Sequence, residues 1–198
     1  MTIEIFPMSS NDISEATKVL TLAFENMPST LSVYKYAKNI NQKQEVLFKA
    51  LISQKAGQVY LAKEQSEIIG VMRISKWPDC QMKPLEALKS LPLVIKTLGF
   101  KTLSRAMKMR GTWTKNDPKF PHWHLDPIAV LPKYQGKGVG STLMEYYCKL
   151  VDKDNGCAYL ETDKAENVPF YEKFGYKVIK SEKILEFTTW YMLREPRH

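Results

Sequence analysis

Gln135-Gly136-Lys137-Gly138-Val139-Gly140-Ser141 sets three glycines at alternate positions between an apolar run and an amphipathic one. Ile128-Ala129-Val130 before it reads as the end of a strand. After it, Val139, Leu143, Tyr147 and Leu150 fall on one face of a helix from about Gly138 to Asp152. Glycine lets the backbone turn sharply and approach a ligand with no Cβ in the way. The helix start leaves amide N–H groups without intrahelical partners, and the macrodipole adds positive potential there. A strand–turn–helix of this kind is suited to a phosphate or pyrophosphate. It is neither a P-loop, which needs GxxxxGK and then Ser or Thr, nor the GxGxxG dinucleotide fingerprint, which belongs near the first strand of a doubly wound sheet. Taken alone, the same glycines also fit a connection that binds nothing.

The rest of the chain supplies a sheet around this turn. Ile3 to Phe6 reads as a first strand closed by Pro7. A helix follows, capped from within Ser9 to Asp12, with Ile13, Ala16, Val19, Leu20 and Ala23 at helical spacing and Pro28 as its end. A second helix is expected from about Gln42 to Gln54. Val59 to Lys63 and Ile68 to Ser75 read as a hairpin, His122 to Val130 and Ala158 to Glu161 as further strands, and Asn167 to Phe174 as a short helix closed by Gly175. Tyr176 to Ile179 and Ile184 to Leu193 form a final antiparallel pair. This order predicts an α/β (α+β) fold, one domain over residues 1–198, with a mixed central sheet of about seven strands and helices on both faces.

Between Pro78 and Pro121 the pattern changes. Leu85, Leu88, Leu91, Val94, Ile95, Leu98, Leu103, Met107 and Met109 recur at roughly helical intervals, interrupted by Pro92 and Gly99. We read residues 78–121 as a helical insertion of two short helices before the fourth strand, rich in Lys and Arg. Most of its Lys and Arg side chains are expected to face solvent, and its apolar positions to form a lid over the acceptor end of the cleft.

Composition narrows the function. The formal net charge is +8, but no Lys/Arg run, RNP-like aromatic pattern or zinc-finger spacing accompanies it, so a nucleic-acid partner is not expected. No apolar window reaches membrane-spanning length, and the N-terminal residues do not read as a signal peptide. Cys80, Cys148 and Cys157 lack CxxC spacing, so neither disulfides nor a metal site is indicated. Reduced thiols and a cytoplasmic location are the expectation.

The words around the turn resemble a known family. Gln135 to Gly140 matches the Q/R-x-x-G-x-G/A motif of the GCN5-related N-acetyltransferase (GNAT) superfamily. Asn167-Val168-Pro169-Phe170-Tyr171 through Gly175-Tyr176 resembles its second signature, N-x-x-F-Y-x-x-x-G-F/Y. The match is close over about Trp123 to Tyr176. Within the superfamily, His122-Trp123, Leu160-Glu161-Thr162 and Thr189-Trp190-Tyr191-Met192 look like puromycin N-acetyltransferase-type small-molecule enzymes. The resemblance implies acetyl-CoA as cosubstrate. Its pantetheine arm would pair with backbone at Ile128, Ala129 and Val130. Its pyrophosphate would sit on the amides of Gly136, Lys137, Gly138, Val139, Gly140 and Ser141, beside Gln135, with Asn167 on the opposite wall. Dimers are common in the family, so a homodimer is one assembly it implies.

Acetyl transfer to an amine needs a neutral amine, donors for the developing oxyanion and a proton for the departing thiolate. By resemblance Tyr171 is the acid beside the sulfur; otherwise it is an aromatic packing partner. His122, His124 and Asp126 alternate along one strand at about 6.8 Å intervals, so they share a face unless a bulge breaks the parity. His124 resembles a histidine position of arylalkylamine N-acetyltransferases, which makes it a candidate base, and it also fits a hydrogen-bonded strand histidine. Asp126 is a candidate for holding the substrate ammonium or orienting His124, or simply forms an Asp-Pro turn. Glu161 has a weaker claim. The expected activity is acetyl transfer to a primary amine of a small molecule. The alternatives are a protein N-terminal or lysine acetyltransferase and a non-catalytic acetyl-CoA-binding module.

Overall fold

The computed structural model describes residues 2–81 and 84–196, with backbone alone for 84–90. The expected contributions of Leu85 and Leu88, and the side chains of Lys83, Glu86 and Lys89, therefore lie outside the described residues.

Seven strands form one mixed sheet: β1 (Glu4–Pro7), β2 (Gln58–Glu64), β3 (Glu67–Lys76), β4 (Trp123–Val130), β5 (Ala158–Thr162), β6 (Lys177–Ile184) and β7 (Phe187–Arg194). Their spatial order is β1-β2-β3-β4-β5-β7-β6. Every pairing is antiparallel except β4 with β5. The helices are α1 (Ile13–Phe24), α2 (Pro28–Val33), α3 (Ile40–Ile52), α4 (Pro84–Leu98), α5 (Phe100–Asn116), α6 (Val139–Lys153) and α7 (Val168–Glu172).

β3 shows why helices must cover both faces. Its residues from Ile68 to Ser75 are all buried. Ile68 and Val71 pack with Ala16, Val19 and Leu20 of α1 and Ile52 of α3. Ile69 and Met72 pack with Val139, Leu143 and Tyr147 of α6. The strand serves two cores, and the register shift opposite Ala62 and Lys63, where Ile69 is the extra residue, resets the alternation so that Ile68 and Val71 share one of them. Leu143 is fully buried, a contribution of roughly 1.5–3 kcal/mol. The register shifts between Met72 and Ile74 opposite the Asp126-Pro127 step, and buried Arg73 fills the gap. Its guanidinium donates to the carbonyls of Asp126 (3.3 Å) and Ala56 (2.5 Å). This bulge breaks the parity of β4: Leu125, Ile128 and Val130 lie against the α6 core, whereas Ala129 turns to the α1 core.

Three expectations needed correction. Pro28 begins a helix rather than only ending one, because the first helical turn has no use for the missing N–H. Ile184 closes β6 instead of opening β7, since the chain reverses at Leu185 in a left-handed conformation (φ 54°). The polar run Lys180 to Lys183 belongs to an exposed edge strand, where charge discourages further pairing. Finally, α4 runs through Pro92, which is exposed, so the insertion consists of two full helices separated at Gly99.

Among the described residues, none of the insertion lines the cleft described below. Val94, Leu98, Leu103, Ala106 and Met109 pack with Val33 and Tyr34, Ile40 and Leu47 of α3, and Leu185. Trp113 Nε1 donates to Thr189 Oγ1 of β7 at 3.1 Å. Not all of its charge is solvated: Arg105 is largely covered, bonds Glu186 and donates to the Ser32 carbonyl at 2.8 Å.

Candidate active site

β4 and β5 are in register only at Trp123–Ala158 and His124–Tyr159. Beyond that point the two parallel strands part. Ile128, Ala129 and Val130 keep antiparallel partners in Met72, Val71 and Gly70, so only their other edge is left to face the gap. The gap is a cleft of about 640 Å³. One wall is Ile128, Ala129 and Val130 with Gln135, Gly136, Gly138, Gly140 and Ser141. The other is Lys164, Asn167, Phe170 and Tyr171, and Leu22 to Met27 close one side.

The turn below the cleft is built for backbone approach. Gly136 and Gly138 have φ of 75° and 87°, and a Cβ at either would meet nothing within 4 Å. Gly138 caps α6, and the first bond across the helix start runs from the Thr142 amide to the Gly138 carbonyl at 2.9 Å. The amides of Val139, Gly140 and Ser141 therefore have no partner within the helix. Gln135 Nε2 donates to the Val130 carbonyl at 3.1 Å, tying turn to strand end. Two predicted residues send their side chains elsewhere. Val139 keeps its amide at the helix start and turns only its side chain into the core, and Lys137 lies outside the cleft lining with its ammonium 5.3 Å from the Tyr134 ring centroid.

Across the cleft, Asn167 Nδ2 donates to Thr162 Oγ1 at 3.3 Å. Tyr171 is buried yet lines the cleft, edge-on to Phe170 and Tyr176. Burial, with the charge of Asp163 added, pushes its phenol above the ordinary range. A phenol is protonated at neutral pH with or without this shift, so what makes Tyr171 a candidate acid is its place on the cleft wall. Asp163, which sequence reasoning passed over, is buried and accepts the Ser29 amide at 2.6 Å, fixing the start of α2 near this wall.

The two other candidates lie elsewhere. Neither His124 nor Asp126 lines the cleft. Asp126 faces Arg110 of α5 at 3.6 Å. His124 enters a buried polar cluster with Cys80, Asp117 and His122. Its Nε2 is 2.9 Å from Glu161 Oε2, and its Nδ1 is 3.6 Å from Asp117 Oδ1. Burial opposes charge on both imidazoles. Bonding to Asp117 and Cys80 nevertheless raises His122 to about 9, and Glu161 raises His124 well above its usual value. The same imidazoles lower the Cys80 thiol and the Asp117 carboxyl against the effect of burial. Sequence reasoning caught the histidines but not Cys80 and Asp117, which are 37 residues apart; the one local signal was His-x-His on a strand.

Known proteins agree with this geometry. The acetyltransferase (GNAT) family model matches residues 24–176. The chain belongs to the GNAT acetyltransferase family. Over 64 residues this acetyltransferase is 31% identical to glucosamine 6-phosphate N-acetyltransferase of Trypanosoma brucei brucei, a stretch that is 32% of this chain. That match spans 43%, less than half, of the relative's length. Its fold is similar to that of a histone acetyltransferase HPA2 and related acetyltransferase from Corynebacterium glutamicum, with a TM-score of 0.78, 22% identity, and coverage of 100% of this chain and 98% of the other. A GNAT family acetyltransferase from Brucella melitensis in complex with acetyl-CoA superposes with a TM-score of 0.51 and 18% identity, covering 95% and 86%. Acetyl-CoA, the cosubstrate that the family resemblance implies, can be set against the cleft. The residues present fit it, with a free strand edge, a turn open to backbone approach and unpartnered helix amides. Among the described residues no helix is long and apolar enough to cross a membrane.

Proposed function

We propose that this acetyltransferase moves the acetyl group of acetyl-CoA to a primary amine of a small molecule, by direct attack while both substrates are bound. The observation that carries the reading is Tyr171: a buried, protonated phenol on the wall of the same cleft that holds the open strand edge and the glycine turn. Acetyl-CoA supplies the activated thioester. Backbone at Ile128 to Val130 positions the pantetheine arm and provides an N–H for the developing oxyanion. Amides from Gly136 to Ser141 hold the pyrophosphate, and Asn167 supports the opposite side. As the amine nitrogen bonds the acetyl carbon and the C–S bond breaks, Tyr171 gives its proton to the sulfur. His124 and Asp126 do not line the cleft, so this reading gives them no direct contact with the reacting atoms, and the amine loses its proton to water.

A small acceptor is favoured over a peptide for two reasons. The relative with the matching segment is named for an amino-sugar phosphate, and the α1–α2 connection closes over one side of the cleft through the Ser29–Asp163 bond. In this reading the enzyme is of the puromycin N-acetyltransferase type and works in the cytoplasm with its thiols reduced. The test is release of free CoA across a panel of small amines, amino sugars and N-terminal or lysine peptides. Turnover with the small amines is expected. Turnover with peptides alone would move the assignment to a protein acetyltransferase, and CoA binding with no turnover on any acceptor would leave a binding module.

A further inference from the structure

Cys80 Sγ, Asp117 Oδ1, His122 Nε2 and His124 Nδ1 all lie within 4.8 Å of one another. Cys80 comes from the turn that follows β3, Asp117 from the residue after α5, and the histidines from the start of β4. Three of the six separations match a coordination shell, and the others lie within 4.8 Å. A tetrahedral ion with ligands at about 2.0–2.3 Å sets its ligand atoms roughly 3.3–3.8 Å apart. Cys80 Sγ is 3.7 Å from His122 Nε2, which is 3.4 Å from Asp117 Oδ1, and His124 Nδ1 is 3.6 Å from that same oxygen.

Each of the three nitrogen and oxygen ligands is also aimed by its far side. The ring N–H of His122 at Nδ1 donates to the Phe120 carbonyl at 2.8 Å, which turns Nε2 to the cluster. His124 donates from Nε2 to Glu161 Oε2 at 2.9 Å, leaving Nδ1 facing it. Gln81 Nε2 donates to Asp117 Oδ2 at 3.0 Å, leaving Oδ1. That Oδ1 is buried and meets the two imidazoles only at 3.4 and 3.6 Å, with no hydrogen bond of good geometry, although a buried carboxylate oxygen is normally satisfied. Two imidazole nitrogens, a carboxylate oxygen and a thiol thus converge on one point. A cation resolves that arrangement, and the carboxylate–imidazole and carbonyl–imidazole contacts are the outer partners that metal-bound histidines usually have.

We infer that Cys80, Asp117, His122 and His124 bind one zinc ion. Sulfur with two imidazoles and a carboxylate is a zinc donor set. With four protein ligands and none left to solvent, the site is structural. Cys80 stands where the chain enters the insertion and Asp117 where it leaves α5, so the ion fastens both ends of residues 78–121 to β4. The inference does not rest on the acetyl-transfer reading, since none of the four ligands lines the cleft.

The test uses the full chain purified without chelator or affinity metal, with zinc measured by mass spectrometry of the digested protein. One zinc per chain is expected, lost in Cys80→Ser and in Asp117→Asn and kept in Cys157→Ser. Adding cobalt to the stripped wild-type protein should give tetrahedral visible bands with a thiolate charge-transfer band, and the latter should vanish in Cys80→Ser. Both variants change few atoms, and their circular dichroism confirms folding. A chain that is metal-free as purified and gives no tetrahedral cobalt spectrum would overturn the site, leaving a cluster of hydrogen-bonded side chains. Metal content unchanged by both substitutions would overturn it equally.

Discussion

Replacing Gly138 by valine separates a turn that holds acetyl-CoA from one that only connects β4 to α6. Gly138 has φ of 87° and caps α6, and a Cβ there would meet no atom within 4 Å. The fold therefore has room for the side chain, and the cost is conformational. A β-branched residue held at positive φ costs about 1–3 kcal/mol. At about 2–4 °C per kcal/mol for a chain of this size, melting should fall by roughly 2–12 °C. Binding should suffer more. If the turn relaxes to a negative φ, the amides of Val139 and Gly140 no longer converge. Each amide–phosphate bond lost costs about 1.5–3 kcal/mol, or roughly 10–150-fold in affinity. Calorimetric titration with CoA reads this directly. A second reading comes from melting: at about 100 times the dissociation constant, CoA adds roughly 2.7 kcal/mol to the wild-type protein, a rise of about 5–11 °C. The variant should show little of that rise at the same concentration. A variant that melts lower yet keeps the wild-type CoA shift would refute the reasoning, because the strain would be present without any loss of the phosphate site.

Three further outcomes are expected. Tyr171→Phe should lower kcat at least about tenfold while CoA affinity measured by titration stays within about twofold, since the proton is needed only as sulfur leaves; equal kcat would remove Tyr171 from the reaction. Arg194→Leu should cost about 1–3 kcal/mol in urea denaturation, because the buried guanidinium donates to the Phe174 carbonyl at 2.9 Å and pairs with Asp152 at 2.7 Å, and Lys should not restore it. Asp12 is held at about 2, below its usual 3.8, by the Ser9 hydroxyl and then by Lys63. A lowered folded-state pKa gives stability that is complete above about 4 and fades as pH falls through 2. Asp12→Asn should therefore flatten that part of the melting-temperature profile, and an unchanged acid limb would show that this carboxylate does not contribute.

What the sequence determined by itself was the local chemistry. The glycines at 136 and 138 mark a turn at a helix start because no other residue reaches their positive φ as cheaply, and the 3.6-residue spacing of Val139, Leu143 and Tyr147 names the buried face of α6. The two family words then bring Tyr171 and Asn167 to that turn. Pro28, Pro92 and Ile184 misled because a proline or an apolar residue is compatible with either side of an element boundary, and only the neighbouring chain decides. The position of a strand side chain relative to a cleft was beyond local reading. One bulge at Asp126-Pro127, held by Arg73, reverses the parity of β4. It leaves His124 pointing at Asp117 and Glu161 while Ile128 to Val130 present their edge to the cleft. The meeting of Cys80 and Asp117 with His122 and His124 was equally invisible, because residues 78–121 leave the sheet and return to it, and only the packing of α5 brings the two ends of that excursion within a few ångströms. Dihedral preference and periodicity act over a few residues and are written in the chain; convergence of groups far apart in sequence is set by which faces the helices cover.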